Sequence, residues 1–470
     1  MADALFDIGM IGLGVMGKNL SLNMADHGYS VAGYDLDPEK VKDFQPEAPQ
    51  QRIQGASSLA GMIKMLKKPR AVILLVPAGP AVDAVIRDIS PFFEPGDMLI
   101  DSGNSFFKDT ELRQKTLTAK GILMLGMGIS GGEVGAREGP SLMPGGPREG
   151  FDRVREILEA VAAHVDGDPC CAYCGPGGAG HYVKMVHNGL EYGLMELIAE
   201  TYDLMKRGLQ MDDEEIGQTF SEWNRGELNS YLLEITGRIF AKKDSRTGKR
   251  LVDVILDEAK QKGTGKWTSQ EAMDQQVPAF TIDTAVAMRD LSGLKDQREQ
   301  ATRVLAGPDP CLEVDKAYFL NLLHQGLYFG SLMTFTQGMA ILQAASGAYR
   351  YDLHLETIAK IWRGGCIIRS ALLEPIRAAF RAKPDLLNLL FDPSISGEAI
   401  KQHPAMRKVI TSAAEAGIPA AGYMASLAYY DAFRSGWLPA NLIQAQRDYF
   451  GAHSYERNDE KGNFHTVWEA

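Results

Sequence analysis

The chain has 470 residues, of which 60 are acidic and 49 are basic, so its formal net charge is −11. An acidic chain has no bulk attraction for nucleic acid or for an anionic membrane, and neither is expected as a partner. At about 150 residues per domain, the length predicts about three domain-sized blocks. The five cysteines are an odd number and do not indicate a disulfide framework. We find no signal peptide and no membrane-spanning run, so the expected location is the cytoplasm.

Short apolar runs alternate with helical patterns in the first third of the chain. Strands are predicted at 6–12, 30–34, 71–76, 98–100 and 121–126, and a helix at 18–27. Strands separated by helices predict a parallel, doubly wound α/β sheet of the Rossmann type. Residues 1–178 are therefore interpreted as one α/β domain.

The pattern changes near residues 175–178, after which helical periodicity dominates. One long helix is predicted over 182–209, and residues 179–434 are interpreted as a large all-α domain. Apolar periodicity weakens from about residue 435. The segment 435–470 is therefore expected to be an extended C-terminal tail that needs another surface to pack on.

The helical part contains an internal similarity. Residues 187–193 resemble 324–330, and 223–226 resemble 362–365 at nearly the same spacing. This predicts a duplicated helical unit, although chance matches between common helix residues are the alternative. The copies differ where chemistry is expected, because Lys184 in the first corresponds to Asn321 in the second. We infer that the first copy is catalytic and the second structural.

A glycine-rich turn lies between the first predicted strand and the first helix. Its residues are Gly12, Leu13, Gly14, Val15, Met16 and Gly17. The glycines permit a tight turn, close approach of a pyrophosphate and close helix–strand packing, and the helix N-terminus faces the phosphates. This context predicts a dinucleotide-binding site rather than a simple packing turn.

The residues after the second predicted strand indicate which dinucleotide binds. Asp35 stands where an acidic side chain accepts hydrogen bonds from the adenosine ribose. A 2′-phosphate there would meet Asp35 and Asp37, while Leu36 offers no charge and Lys40 is the only nearby cation. The sequence therefore predicts NAD, with NADP as the weaker alternative. The competing interpretation is that Asp35 only caps a turn.

Four polar side chains fall at i, i+3, i+4 and i+7 of the long predicted helix. They are Lys184, His187, Asn188 and Glu191. Such spacing places them on one face, while leucines occupy another. A polar stripe on an otherwise apolar helix favours an active-site wall over an ordinary solvated face, which is the alternative.

The chain resembles the decarboxylating 6-phosphogluconate dehydrogenases, in their long form, over nearly its whole length. The matching segments are 12–20, 101–105, 130–132, 139–146, 180–189, 262–268 and 446–453. The resemblance implies oxidative decarboxylation of 6-phosphogluconate to ribulose 5-phosphate, a step of the pentose phosphate pathway. It further implies that Lys184 is the general base at the C3 hydroxyl, with a lowered pKa. Glu191 would be the acid at C1, with a raised pKa.

The resemblance also assigns binding residues. Those implied for the substrate carboxylate and hydroxyls are Ser130, Gly131, Gly132, His187 and Asn188. Those implied for the substrate phosphate are Tyr192, Lys262, Thr264, Arg289, Arg447 and His453. The implied cofactor contacts are the glycine turn, Asp35, Leu36, Asp37, Val76, Ala78 and Asn104, the last lying between nicotinamide and substrate. In the family, the residues matching Arg447 and His453 reach in from a partner subunit, which implies a homodimer with exchanged tails.

Two departures from the family pattern bear on the cofactor. Many members place Asn-Arg-Thr after the second strand, where the arginine holds the 2′-phosphate, whereas this chain has Asp35-Leu36-Asp37. Pro77 stands where a lysine is common. The first departure puts NADP use in doubt, and the second is expected to alter cofactor contacts.

Three alternatives are open at the level of sequence. Cys171 and Cys174 with His181 suggest zinc, but their spacing fits no common four-ligand site, so no metal is expected. A non-decarboxylating 3-hydroxyacid dehydrogenase is similar in its turn and lysine, but is shorter and lacks the phosphate-binding set. A non-catalytic dinucleotide-binding sensor would have lost Lys184 or Glu191, and both are present.

Overall fold

A computed structural model describes residues 5–468, and its first part contains a seven-stranded sheet. The strands are β1 (Ile8–Ile11), β2 (Val31–Tyr34), β3 (Ile53–Gly55), β4 (Ala71–Leu74), β5 (Met98–Asp101), β6 (Leu123–Ser130) and β7 (Ser141–Gly145). Their order is β3-β2-β1-β4-β5-β6-β7. The first six are parallel and β7 runs antiparallel to β6, which confirms the Rossmann-like fold. Two strands, β3 and β7, lie outside the predicted segments.

Helices cover both faces of this sheet. They are α1 (Val15–Asp26), α2 (Pro38–Lys42), α3 (Leu59–Lys64), α4 (Pro80–Ile89), α5 (Phe107–Thr118), α6 (Gly132–Glu138) and α7 (Arg148–Val161). The central strands β1, β4 and β5 are buried along their whole length. Strands buried on both faces read as continuous apolar runs, which is why the sequence predicts them well.

The second part is helical. After a short hairpin of β8 (His164–Val165) and β9 (Asp168–Pro169), its helices are α8 (Ala179–Asp203), α9 (Asp213–Trp223), α10 (Tyr231–Ala241), α11 (Thr264–Asp274), α12 (Phe280–Ser292), α13 (Lys295–Val304), α14 (Lys316–Ala348), α15 (Leu355–Ile361), α16 (Leu373–Ala382), α17 (Pro393–Glu415) and α18 (Ala421–Phe433). The predicted long helix is α8, which ends in a π-helical turn at Leu204–Gly208. Among residues 5–468, no helix is both long and apolar enough to cross a membrane.

The duplicated unit predicted from the sequence corresponds to α8–α10 and α14–α16. The two copies exchange equivalent contacts: the ring of His187 packs edge-on against Trp362 at 5.7 Å, and His324 packs edge-on against Trp223 at 5.3 Å. An antiparallel bridge joins Ser230 to Ser370, which occupy equivalent positions. Reciprocal contacts between equivalent residues are what an internal two-fold relation produces and chance similarity does not.

Helix α8 lies unusually close to the carboxyl end of β6. A Cβ atom placed on Gly180 would lie 2.2 Å from the Gly126 carbonyl oxygen and 2.3 Å from that of Met143. A Cβ on Gly128 would lie 2.3 Å from the Cβ of Lys184. Glycine at these positions therefore allows the helix to approach the sheet, and the approach brings Lys184 to the sheet's edge.

The C-terminal segment is less extended than the sequence suggests, because it contains α19 (Ala440–Gly451). Asp448 on this helix accepts hydrogen bonds from Thr466 and Trp468, and beyond the helix Tyr455 pairs with Phe464. These contacts join parts of the tail to one another. Its large apolar side chains remain exposed, Trp437 by 68% and Phe450 by 72%. The tail thus keeps an uncovered apolar surface, as its sequence leads us to expect.

Candidate active site

The glycine turn has the geometry that a pyrophosphate needs. Gly12 has a φ of +94°, and a Cβ there would lie 2.3 Å from the Leu75 carbonyl oxygen. A Cβ on Gly17 would lie 1.9 Å from the Gly12 carbonyl oxygen, whereas Gly14 faces open space. No side chain caps the N-terminus of α1 at Gly14. Two glycines therefore permit packing, and the third leaves free N–H groups facing a ligand.

Asp35 lies at the carboxyl end of β2, beside this turn. Its carboxylate accepts hydrogen bonds from the backbone N–H of Leu13 at 2.7 Å and of Asp37 at 2.9 Å. The ammonium of Lys40 is 3.8 Å away. Asp35 thus does brace the turn, as the capping alternative states, and it also places a negative charge where the adenosine ribose is expected.

A cleft of about 660 Å³ opens beside the turn. Its lining includes Gly12, Gly14, Asp35, Leu36, Lys40, Val76 and Pro77. The side chain of Leu36 is 86% exposed, and Asp37 caps α2 by accepting from the N–H of Glu39. Five of the predicted cofactor residues therefore line one cleft large enough for a nucleoside, namely Gly12, Gly14, Asp35, Leu36 and Val76, and their chemistry fits a dinucleotide.

Two loops at the carboxyl ends of β4 and β5 extend the cleft toward α8. The first, residues 75–79, carries Val76 and the exposed Ala78. The second, residues 102–105, carries Asn104 exposed at its tip. Ligands of open parallel sheets bind outside the carboxyl ends of the strands, so both loops border the expected nicotinamide position.

Lys184 is the centre of a buried polar group on α8. Its Nζ is 3.4 Å from Nδ1 of His187, and that nitrogen is 3.1 Å from Oδ1 of Asn188. On the other side of the ring, Nε2 of His187 is 3.0 Å from the hydroxyl of Ser130, at the end of β6. Three residues of the predicted stripe, Lys184, His187 and Asn188, thus form one buried network with Ser130 and are not a solvated face.

Burial shifts the pKa values of this group in opposite directions. Desolvation lowers the pKa of Lys184, against the opposing charge of Glu191. Desolvation also lowers the pKa of His187 well below its usual range, helped by the charge of Lys184. The same cause raises the pKa of Glu191, against Lys184 and Arg289. The amine is therefore biased toward its neutral basic form and the carboxyl toward its neutral acidic form.

A loop of the second copy completes the group, and the sequence did not identify it as part of the site. The backbone N–H of Ile367 donates to the Ser130 hydroxyl at 3.3 Å, and Trp362 packs against His187. Because Oδ1 of Asn188 only accepts, we assign the ring hydrogen of the neutral His187 to Nδ1, so that the Ser130 hydroxyl donates to Nε2. The only sequence signal for this loop was the repeat that contains Trp362.

The glycines after Ser130 meet the same loop. Gly131 has a φ of +121°, and a Cβ there would lie 2.6 Å from the carbonyl oxygen of Gly365. Gly132 is exposed, and a Cβ on it would meet nothing within 4 Å. Backbone N–H groups at an open helix start suit an anionic group such as a carboxylate.

The residues predicted to bind phosphate fall into two groups. The guanidinium of Arg289, on α12, lies 3.4 Å from the ring centre of Tyr192, and that ring packs on Gly265. Thr264 begins α11 beside it, after the exposed Lys262. The other group, Arg447 and His453, lies on the exposed tail, where Arg447 donates to Gln444 and the ring of His453 contacts Phe450. The chain by itself therefore brings together four of the six.

The residues of the cysteine motif, Cys171, Cys174 and His181, are all buried. Burial raises the pKa of the Cys171 and Cys174 thiols, and Nδ1 of His181 is 2.7 Å from the Thr110 hydroxyl. Within the part of the chain that the structure describes, no group of three or more histidine, cysteine or carboxylate side chains is placed to hold a metal ion.

Comparison with known proteins identifies the family. Residues 7–175 match the NAD-binding domain model of 6-phosphogluconate dehydrogenase, and residues 180–468 match its C-terminal domain model. The chain belongs to the 6-phosphogluconate dehydrogenase family. It is 49% identical, over 98% of each chain, to the NADP(+)-dependent, decarboxylating enzyme of Bacillus subtilis (strain 168). It is 48% identical, at the same coverage, to the decarboxylating enzyme of Escherichia coli (strain K12).

A solved structure of this family has nearly the same fold. The Plasmodium falciparum 6-phosphogluconate dehydrogenase superposes with a TM-score of 0.95 at 44% identity, covering 98% of this chain and all of that one. That protein was solved in its apo form, with its cofactor NADP+ and with its substrate 6-phosphogluconate. The Rossmann-like part followed by a helical part is therefore a family architecture.

The coupling of Lys184 to Glu191 is measurable without substrate. An amine reacts with acetic anhydride only when neutral, so competitive labelling across a pH series reports the pKa of Lys184. We expect its midpoint below the usual lysine value of 10.5. In Glu191→Gln the midpoint should fall further, because the carboxylate that favours the ammonium is lost.

The matched control is Glu149→Gln, which removes an exposed carboxylate on α7. It should leave the Lys184 midpoint at the wild-type value. Equal midpoints for wild type and Glu191→Gln would contradict the coupling.

Proposed function

We propose that the chain oxidises 6-phosphogluconate at C3 and decarboxylates it, giving ribulose 5-phosphate and carbon dioxide while reducing a nicotinamide dinucleotide. The observation that carries the proposal is the buried position of Lys184 on α8, in contact with His187 and on the same helix face as Glu191, in a chain that also has a dinucleotide cleft. Burial shifts the pKa values of Lys184 and Glu191 in opposite directions, as a base and an acid need. Relatives at 48–49% identity over the same length carry the decarboxylating name.

Lys184 serves the first step. The dinucleotide, when bound, supplies the hydride acceptor. The neutral amine removes the proton of the C3 hydroxyl as hydride leaves C3, which yields a 3-keto acid and an ammonium. Burial favours this direction because it lowers the pKa of the amine and so biases it toward the neutral, basic form before substrate binds.

The same two groups serve the later steps. The 3-keto acid loses carbon dioxide as the electron pair of the C1–C2 bond moves toward the ketone oxygen. The Lys184 ammonium returns its proton to that oxygen and so forms the enol. Glu191, whose pKa is raised by burial, then protonates the carbon that lost carbon dioxide. Lys184 takes back the proton of the enol oxygen as the ketone of ribulose 5-phosphate forms.

Substrate contacts follow from the two ends of the site. Ser130 and the N–H groups at Gly131 and Gly132 suit the carboxylate, while Asn188 suits a hydroxyl. Tyr192, Arg289, Lys262 and Thr264 suit the phosphate at the other end. A guanidinium is the preferred partner of phosphate oxygens, since it donates two parallel hydrogen bonds.

The alternatives predict different observations. A non-decarboxylating 3-hydroxyacid dehydrogenase would reduce the dinucleotide without releasing carbon dioxide, and a sensor would bind it without turnover. Full-length similarity to decarboxylating enzymes, and the presence of both Lys184 and Glu191, favour the proposed reaction over both.

The direct test follows reduced dinucleotide by absorbance together with released carbon dioxide, with 6-phosphogluconate as substrate. Wild type should produce the two in equal amounts. Lys184→Met should lower turnover by about 10² to 10⁴-fold because the general base is gone, while leaving dinucleotide affinity unchanged. Reduced dinucleotide without carbon dioxide would disprove the decarboxylation, and normal turnover of Lys184→Met would disprove the role of the lysine.

We further propose that the chain prefers NAD to NADP. The support is local: the Asp35 carboxylate faces the expected ribose, the exposed Leu36 carries no charge, and Lys40 is already paired with Asp35. A 2′-phosphate would meet two carboxylates at this position. The Bacillus subtilis relative is named as NADP(+)-dependent, so the preference is specific to these substitutions and not to the family.

The preference is tested by restoring the pattern of the NADP-using relatives. The triple variant Asp35→Asn, Leu36→Arg, Asp37→Thr should shift the ratio of kcat/KM for NADP over NAD upward by at least about tenfold, since a hydrogen bond to a charged group contributes about 1.5–3 kcal/mol. Threonine at 37 retains a capping hydroxyl for α2. Asp43→Asn, an exposed change nearby, should leave the ratio unchanged. An NADP preference in wild type would contradict the proposal.

We also propose a cytoplasmic homodimer in which each tail completes the partner's phosphate site. Its support is the exposed apolar surface of the tail and the separation of Arg447 and His453 from the other phosphate residues. Exchange of tails between two copies related by two-fold symmetry would cover the apolar surface of each tail. It would also bring Arg447 and His453 to the other phosphate residues.

Subunit mixing tests the exchange. Lys184→Met and Arg447→Met chains, each nearly inactive alone, are unfolded and refolded together. If Arg447 acts across subunits, each mixed dimer has one wild-type site, and the mixture should recover about a quarter of wild-type activity. Mixing Lys184→Met with Glu191→Gln is the control, because both residues come from one subunit and no wild-type site forms. Recovery in neither mixture, or an active monomer in sedimentation, would contradict the exchange.

A further inference from the structure

Arg113, on α5, is a buried arginine that contacts two different loops. Its Nε donates to Asp83 Oδ1 at 2.7 Å, and Nη2 donates to the Gly79 carbonyl oxygen at 3.1 Å. On its other side, Nη1 is 3.5 Å from the Ser105 hydroxyl and 3.6 Å from the Asp101 carboxylate. Only 7% of the residue is exposed. One guanidinium therefore joins the segment after β4 to the segment after β5.

Both segments border the expected nicotinamide. Gly79 ends the loop that carries Val76 and Ala78. Asp101 closes the other loop, because it accepts hydrogen bonds from the Ser105 hydroxyl at 2.6 Å and the Gly103 N–H at 3.2 Å. The tip of this second loop is Asn104. The position of Asn104 relative to the first loop thus depends on the contacts of Arg113.

The same helix is fastened to the catalytic helix. Thr110 lies one turn before Arg113, and its hydroxyl is 2.7 Å from Nδ1 of His181 in the first turn of α8. Lys184 lies one turn further along α8. Helix α5 consequently connects the two cofactor loops with the helix that carries the general base.

We propose that Arg113 is a positioning residue that holds the 76–79 loop against the 101–105 loop, and so sets the separation of the nicotinamide from the substrate carbon. The inference rests on the proposed function and concerns the same site. The geometry requires a guanidinium, because the acceptors lie on two sides of the side chain, after β4 and after β5. A guanidinium has several N–H donors with fixed directions that reach both sides, and a lysine ammonium does not.

A purely structural role is the alternative, and the chain contains a matched example of one. Arg70 is equally buried, with 8% exposed, and donates to Asp97 at 2.7 Å. Arg70 and Asp97 directly precede β4 and β5, so this pair lies at the amino ends of the same two strands. Arg70→Met and Arg113→Met therefore remove comparable ion pairs at opposite edges of one sheet.

The experiment compares these variants by thermal unfolding, by kcat and KM, and by the kinetic isotope effect on kcat with 6-phosphogluconate deuterated at C3. Both should unfold at lower temperature. Arg113→Met should lose about 100-fold in kcat, the cost of a misplacement of about 1 Å, and show a larger isotope effect because hydride transfer becomes limiting. Arg70→Met should keep kcat and the isotope effect within twofold of wild type. Arg113→Lys should recover thermal stability but not kcat.

Single-contact variants keep the test decisive if Arg113→Met does not fold. Asp83→Asn weakens only the contact of Arg113 with the segment after β4. Ser105→Ala weakens only the contact of Arg113 with the segment after β5. Each should lower kcat about three- to tenfold with a raised isotope effect. A folded Arg113→Met, or both single-contact variants, with wild-type kcat and isotope effect would overturn the proposal.

Failure of the proposed function gives a separate result. In that case wild type does not turn over 6-phosphogluconate with either dinucleotide. Arg113 is then tested by titrating reduced dinucleotide fluorescence, where Arg113→Met should weaken binding about tenfold and Arg70→Met should not. If Arg113→Met and Arg70→Met bound the reduced dinucleotide equally well, the positioning role of Arg113 would be overturned independently of the proposed function.

Discussion

The site depends on the close approach of α8 to β6 and to the neighbouring strand β7. Backbone atoms of Gly126, Met143 and Gly145 surround Gly180 so closely that any side chain there would overlap them, and Gly128 leaves room for the stem of Lys184. A helix held at this distance excludes water from the face it presents to the sheet. The lysine is therefore buried at the edge where ligands of parallel sheets bind.

That burial determines the chemistry of the pair. Lys184 and Glu191 attract one another when both are charged, which by itself would raise the pKa of the amine and lower that of the carboxyl. Desolvation acts in the opposite sense on each group and is the larger effect on both. The amine is thereby biased toward a neutral base and the carboxyl toward a neutral acid, as the proposed reaction, which first removes a proton and later supplies one, requires.

The sequence predicts those features that depend on near neighbours in the chain. The glycine turn, the central strands and the polar stripe of α8 are read from local spacing, and the structure confirms that these elements exist. The sequence does not reveal β7, whose short run contains Pro144 and Gly145. Nor does it reveal the Ile367 N–H that meets Ser130 or the contacts of Arg113, because these join separate segments of the chain. The tail is intermediate: its lack of a packing surface is visible in the sequence, while its helix is not.

The duplication explains why only one copy carries a base. Both copies contribute a histidine that packs on the tryptophan of the other, so the helical frame is nearly symmetric. The sheet breaks this symmetry, because it covers the start of α8, whereas Asn321 on α14 is exposed. A lysine at position 321 would stay hydrated and charged, so it would not act as a base near neutral pH. The second copy instead supplies Trp362 and the Ile367 N–H, which hold His187 and Ser130 in place. The proposed general base is thus found in the copy that the Rossmann sheet covers.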